Sequence, residues 1–290
     1  MVRSSPADYA GLLKLRIDAL LLLVAASGFL VTSGPDVRPI PLALLLVSGF
    51  LASAGASALN HYADRDLDGL MARTRGRPIP AGRVPPGHAL ALGVGLLGGG
   101  VTLAFLVNAL TASFIVLGFA VYLFVYTLGL KRRSVTNIVI GGFAGSCPAF
   151  AGSAAAANTV SLGAALIAVL VFLWTPGHFW ALAFRMKEDY AKAGLPMLPV
   201  VTDERTAVRW ITASVAIVPP FALSFWLLQV SGVPYLAVAV AASGVPLYLT
   251  FRFFRSPTVQ NAWAGYRASG PYLAVLLVAL IADRLLPLRA

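Results

Sequence analysis

A bundle of nine transmembrane helices, all-α and integral to the membrane, follows from three features of this chain. It is 59% hydrophobic and 11% charged, with a mean hydropathy of +0.83, well outside the range of soluble domains. Apolar stretches long enough to cross about 30 Å of hydrocarbon recur from one end to the other. The 27 glycines and 19 prolines argue against a soluble helix bundle but suit membrane spans.

The first span, 17–34, lacks a convincing small-residue cleavage site and leads straight into further spans, so it reads as helix one and not as a signal peptide. The second, 40–60, runs out into a long basic loop at 61–88. Spans 89–107 and 112–129 meet at a short turn, 108–111, and the fourth ends on Lys131, Arg132 and Arg133. Spans 137–156 and 162–184 are joined by 157–161, after which a second long polar loop occupies 185–209. Spans 210–230 and 233–251 turn at 231–232, and a basic segment, 252–269, precedes the ninth span, 270–286. No length remains for a soluble domain: residues 1–290 form one transmembrane unit, with the loops 61–88 and 185–209 as its working parts.

The net charge of +11 invites a nucleic-acid reading, which its distribution refutes. Nineteen of the 22 Lys and Arg residues fall in alternate loops, while the other face keeps Arg38, Arg284 and Arg289. Positive charge marks the cytoplasmic side, which places the N-terminus inside and the C-terminus outside a cell (inner) membrane. The excess charge is therefore a topology signal with anionic lipid as a secondary contact, and no nucleic-acid partner is expected. Nine of the 11 acidic residues lie on or at the edge of that same face, so one side of the bundle carries the chemistry. Cys147 stands alone, which excludes an internal disulfide or a cysteine metal cluster; its apolar surroundings mark it as a small packing residue.

Asn60, Asp64 and Asp68 stand at i, i+4 and i+8 where the second span ends. On a helix this spacing keeps all three on one face, drifting about 40° per step. Mg²⁺ takes oxygen ligands and usually binds through one or two carboxylates plus substrate phosphate oxygens, so the ladder can supply an incomplete shell. Asp66 lies about 160° round from Asp68 and is expected to be solvated or paired with an arginine. Arg73 and Arg77 follow four apart, a guanidinium fork matches phosphate oxygens, and Pro78 and Pro80 are expected to stop the helix. Together these residues suit a diphosphate that carries Mg²⁺ and a greasy tail.

The second polar loop repeats the theme of acid, base and proline, with Arg185, Lys187, Glu188 and Asp189 ahead of Pro196 and Pro199. Lys131, Arg132, Arg185 and Lys187 are candidate phosphate contacts, and Arg133 an ordinary membrane-edge anchor. His178 lies about 16 Å deeper than Asp189 along a continuous helix. An ionisable side chain at that depth is a functional candidate, and a neutral imidazole can ligate the iron of a heme-type substrate. The alternative is a histidine hydrogen-bonded to a neighbouring helix. Trp180 could line an apolar chain or face a carbocation, or simply pack. His61 is about 100° off the ladder and His88 sits in a loop, so neither is taken as a site residue.

These residues carry a family likeness. The ladder Asn60-x₃-Asp64-x₃-Asp68, with Arg73-Thr74 and Arg77-Pro78 after it, resembles the UbiA-type membrane prenyltransferase superfamily. Four further strings resemble its heme-farnesylating branch. They are Tyr126-Thr-Leu-Gly-Leu-Lys131-Arg132, Asn137-Ile-Val-Ile-Gly-Gly142, Thr175-Pro-Gly-His178-Phe-Trp180, and Asp189-Tyr190-Ala-Lys-Ala-Gly194-Leu-Pro-Met-Leu-Pro-Val-Val201. The likeness runs from about Lys14 to the ninth span. Two departures stand out. The usual Lys-Pro-Arg before the first span is Lys14-Leu15-Arg16 here, with Asp18 read as the partner of Lys14. The second Asp ladder of quinone-type relatives is replaced by Glu188-Asp189.

The resemblance implies the UbiA-type fold and Mg²⁺-dependent alkylation of heme B, the second substrate, by farnesyl diphosphate, giving heme O for a terminal oxidase. It implies catalytic roles for Asn60, Asp64, Asp68 and Asp189, with metal on the first three. Arg73, Arg77, Lys131, Arg132, Arg185 and Lys187 would bind diphosphate, and His178 and Trp180 the heme. The lipid bilayer would deliver both greasy substrates, and the product would pass to a heme A synthase or a terminal oxidase assembly. A relative acting on an aromatic acid or quinone precursor is the nearest alternative. A multi-span transporter is the alternative from another class, disfavoured because the acids crowd one membrane edge instead of the midplane.

Overall fold

The computed structural model describes residues 4–285; Arg3 and Arg289 of the charge count, and residue 286 of the ninth expected span, lie outside the described residues. Among those described, nine helices are long and apolar enough to cross a membrane, as expected of a multi-pass membrane protein. They are α1 (Leu15–Ser33), α2 (Pro39–Ala63), α3 (Pro86–Phe105), α4 (Ala109–Leu130), α5 (Asn137–Ala157), α6 (Leu162–Arg185), α7 (Glu204–Leu227), α8 (Val233–Arg255) and α9 (Val259–Leu285). Short helices Pro6–Ala10, Arg65–Leu70, Lys187–Lys192 and Leu198–Val201 lie between or before them.

Each long helix packs on the next in sequence, and α9 returns to α1, so the bundle closes into a ring. α1 also crosses α5, and α6 packs on both α1 and α9, which ties the ring across its middle. Hydrocarbon offers little hydrophobic drive between helices in a membrane, so close packing of small residues must hold them together. A Cβ on Gly28 of α1 would lie 2.2 Å from the Ala149 carbonyl oxygen of α5, and one on Gly152 would lie 2.1 Å from that of Ala25. Only hydrogen fits at these two crossings. Around them Ile167 and Leu170 of α6, Phe225 of α7, Tyr235 of α8 and Leu273 and Leu276 of α9 form one buried cluster. Cys147 is buried, its Sγ 3.5 Å from the Phe143 carbonyl, and serves as packing.

The largest departures from the sequence expectation are in α9, α7 and the helix of the acid ladder. α9 begins at Val259, not at 270, because Gln260, Asn261 and Arg267 lower the local hydropathy without breaking the helix. The segment 252–269 is therefore mostly helix. α7 begins at Glu204, where the Asp203 carboxylate accepts from the Thr206 N–H, and is interrupted at Ile217 ahead of Pro219. The helix bearing the acid ladder does not run to Pro78: it breaks at Asp64, and the short helix after it ends at Leu70.

Candidate active site

The acid ladder sits where α2 ends and the short helix Arg65–Leu70 begins. Asp64 closes one and opens the other, with φ −93° and ψ 7°, so the three residues share two helices instead of one face of one helix. The Asp64 N–H still donates to the Asn60 carbonyl and the Asp68 N–H to that of Asp64, which keeps the spacing near helical. All three side chains are buried, with 3%, 0% and 1% exposure for Asn60, Asp64 and Asp68.

Burying two carboxylates requires partners, and the chain supplies three cations. Lys131 Nζ donates to Asp64 Oδ2 at 2.5 Å, and Arg77 Nη1 to both oxygens of Asp68 at 2.8 and 2.7 Å. Lys14 Nζ donates to Asn60 Oδ1 at 2.8 Å and to the Tyr122 hydroxyl at 3.3 Å. Asn60 Nδ2 in turn donates to Asp64 Oδ2 at 2.7 Å and to Thr127 Oγ1 at 3.2 Å. Asp64 Oδ1 is buried with no hydrogen-bond partner among the described residues. No group of three or more His, Cys, Asp or Glu suited to a metal occurs among the described residues. A site of two carboxylates and an amide with one buried oxygen unclaimed fits Mg²⁺, which keeps positions for substrate oxygens and water.

The backbone of α4 explains how Lys131 and Thr127 reach the ladder. From Val121 to Leu130 it is π-helical, and the Lys131 N–H bonds the Tyr126 carbonyl five residues back. This winding brings residues five apart to nearly the same side, so Tyr122 reaches Lys14 while Thr127 reaches Asn60 of α2. Nothing in the local sequence announces it.

Lys14 is the residue that sequence reasoning misplaced. It stands at the start of α1 with φ 49°, in the left-handed region, so helical i, i+4 spacing to Asp18 does not apply. Asp18 instead accepts from Ser53 Oγ at 2.6 Å, and Lys14 turns to the ladder. Burial, with the Arg77 and Lys131 charges beside it, lowers the Lys14 ammonium to about 7, against the pull of Asp64 and Asp68. His61, about 100° off the ladder on a helix, is 2% exposed, and neither ring nitrogen has a hydrogen-bond partner among the described residues.

The remaining expected residues divide. Arg132 grips Asp66 through two nitrogens at 2.7 and 2.8 Å, and its hydrogen bonds hold the Asp66 carboxyl below the usual carboxylate range. The expectation of an arginine partner for Asp66 holds, and Arg132 gives both of its terminal nitrogens to that carboxylate. Arg185 lies over the Trp263 ring, 4.1 Å from its centroid, a cation–π contact that the hidden first turns of α9 make possible. Asp189 does not join the ladder: its carboxylate accepts the backbone N–H groups of Ala72 and Arg73 at 3.3 and 3.2 Å, fastening the second loop to the first. Arg73 and Lys187 are exposed. Burial raises the Tyr190 hydroxyl, with the Arg73 charge opposing. Leu67 and Met71 of the first loop pack with Ile138, Trp180, Tyr190 and Leu195, so an apolar cluster joins the two loops beside the ladder. The Trp180 Nε1 in it is buried without a hydrogen-bond partner among the described residues.

His178 Nδ1 lies 2.6 Å from Ser269 Oγ, and its ring is stacked between Trp174 and Tyr266 at centroid distances of 4.2 and 4.5 Å. Ser269 spends its one hydroxyl proton on the Tyr266 carbonyl at 2.8 Å. With that proton on the Tyr266 carbonyl, the tautomer that pairs with Ser269 is the one carrying Nδ1–H, and it would leave the lone pair of His178 on Nε2. A second partner that fixes the tautomer is what an iron-ligating histidine requires.

Residues 21–278 match the UbiA prenyltransferase family. The chain is 44% identical to the protoheme IX farnesyltransferase of Metallosphaera sedula over 278 residues, covering 96% of each protein. It is 43% identical to that of Sulfolobus acidocaldarius, covering 94% of this chain and 95% of the relative. Among solved structures, a UbiA homolog from Aeropyrum pernix superposes with a TM-score of 0.78 at 20% identity, over 94% of this chain and 99% of the other. A homolog from Archaeoglobus fulgidus solved with GPP and Mg²⁺ gives 0.72 at 17% identity, over 94% and 99%. At these identities the structures establish the fold.

Proposed function

The chain belongs to the UbiA prenyltransferase family and is a prenyltransferase, and on that premise we propose that it transfers a farnesyl group from farnesyl diphosphate to a vinyl group of heme B, giving heme O for a terminal oxidase. The relatives' name, protoheme IX farnesyltransferase, suggests both substrates. The observation that carries the reading in this chain is the buried Asp64 carboxylate, one oxygen unclaimed, among Lys14, Lys131 and Arg77.

Asn60, Asp64 and Asp68 would hold Mg²⁺. When bound, Mg²⁺ supplies positive charge that draws electrons onto the departing diphosphate. Lys131 and Arg77 add positive charge where the leaving oxygens gather negative charge, and the exposed Arg73 and Lys187 would receive the substrate. The C1–O bond of the donor breaks with its electron pair going to diphosphate, and an allylic cation remains. The vinyl π pair of the acceptor forms the new C–C bond. Water captures the resulting cation as a hydroxyl and releases a proton. Premature capture of the allylic cation would be limited by the apolar cluster of Leu67, Met71, Ile138, Trp180 and Tyr190. His178 Nε2 would ligate the heme iron and set the ring's position, with Trp180 as a neighbouring apolar contact. Asp189 acts by holding the Arg73 backbone.

The basic face, carrying this site, is cytoplasmic in a cell membrane, with the N-terminus inside and the C-terminus outside. Both substrates reach the site from the bilayer, and heme O leaves by the same route toward heme A synthase or oxidase assembly. Purified protein incubated with heme B, farnesyl diphosphate and Mg²⁺, beside Asp64→Ala, tests the proposal by mass spectrometry of the products. Heme O from the wild type alone is expected. Prenylation of a quinone precursor instead would overturn the acceptor while keeping the ladder; solute flux into liposomes without prenyl transfer would overturn the whole reading.

A further inference from the structure

The oxygens of the ladder are already engaged. Lys14 holds Asn60 Oδ1, Lys131 holds Asp64 Oδ2, and Arg77 holds both oxygens of Asp68; Asp64 Oδ1 alone is left. Two carboxylates thus face three cations in a buried place. A divalent ion arriving by itself would set further positive charge against those cations, where the dielectric is low and repulsion strong. A diphosphate arriving by itself would find the cations spent on the ladder. Arriving together, the two exchange partners: metal takes ladder oxygens and the displaced cations take phosphate oxygens.

We infer that Lys14 is a diphosphate-binding residue that acts by exchange, guarding the ladder until metal and diphosphate arrive together and then transferring to the diphosphate. Its partners are neutral, the Asn60 amide and the Tyr122 hydroxyl, so leaving them costs less than leaving a carboxylate. It sits on a single left-handed residue before α1, at the head of a long flexible stem, and can move without moving the helix. The inference rests on the Mg²⁺–diphosphate reading of the ladder and adds to it a residue and an order of events.

Mn²⁺ binding to the detergent-solubilised full chain, followed by electron paramagnetic resonance of the free ion, tests the exchange. It is run with and without the S-thiolo analogue of farnesyl diphosphate, correcting for Mn²⁺ bound by the analogue in buffer. The wild type should bind Mn²⁺ about ten-fold more tightly with the analogue present. Lys14→Met should bind Mn²⁺ alone about five-fold more tightly than the wild type, bind the analogue more weakly, and lose most of the coupling. Lys14→Gln, which can still hydrogen-bond Asn60 without the charge, should share these signs, and Lys14→Arg should retain the coupling. A lysine that merely supports the fold would weaken both ligands when removed. Unchanged or weaker Mn²⁺ affinity in both neutral variants overturns the exchange and leaves the metal site standing. No Mn²⁺ binding by the wild type with the analogue present removes the metal reading and the exchange together, while the heme B acceptor is tested separately by product analysis.

Discussion

The carboxylate of Asp189 accepts the backbone N–H of Arg73 at 3.2 Å, joining two loops that are 116 residues apart in sequence. With the Ala72 N–H at 3.3 Å on its other oxygen, it holds the chain leading to Arg77. Asp189→Ala is expected to raise the KM for farnesyl diphosphate by about ten-fold, the worth of one or two charge-assisted bonds. Trypsin should cut faster after Arg73 and Arg75 in the same variant. Asp189→Asn keeps one acceptor oxygen and should fall between. An unchanged cleavage rate would mean the fastening does not order the loop.

Lys131→Met leaves the buried Asp64 carboxylate without its ammonium and, on the proposed function, the diphosphate without one of its cations. Product formation in a single turnover should slow by about 10²–10³-fold with the helix content retained. Lys131→Arg should rescue little, because a planar fork does not replace a point charge 2.5 Å from Asp64.

Heme B added to the protein gives a visible spectrum that reports the axial ligand. His178→Ala is expected to shift it to that of heme without a nitrogen ligand. Ser269→Ala should keep the ligand but weaken heme binding by about ten-fold, since the tautomer is no longer held. Identical spectra for wild type and His178→Ala would reduce His178 to the stacked, hydrogen-bonded packing residue.

Gly28→Val forces a side chain into the Ala149 carbonyl at the α1–α5 crossing, which must then separate. Thermal unfolding in detergent should show a loss of about 1–3 kcal/mol or failure to fold. Gly98→Ala, on α3 with nothing within 4 Å of the added methyl, should stay within about 0.5 kcal/mol of the wild type.

The nine spans were legible in the sequence because burial in lipid is a requirement on each stretch of chain taken alone, and length and hydropathy report it. Hydropathy starts the ninth eleven residues late because Gln260, Asn261 and Arg267 look like a loop to it; contacts with α6, among them Arg185 on Trp263 and His178 on Tyr266, support the helix there. Asn60, Asp64 and Asp68 were likewise visible, because helical spacing and residue type suffice to draw three oxygen-bearing side chains together. Which cation meets which oxygen was not visible. Lys14, Arg77 and Lys131 are 117 residues apart at their extremes, and one left-handed residue, one broken helix and one π-helical segment bring them to the ladder. A charge's partner is set by the distance between helices, which local sequence does not carry. Composition and spacing therefore settled that this is a membrane bundle with an acid ladder at one edge, and the packing of α1, α2 and α4 decided that three cations hold that ladder.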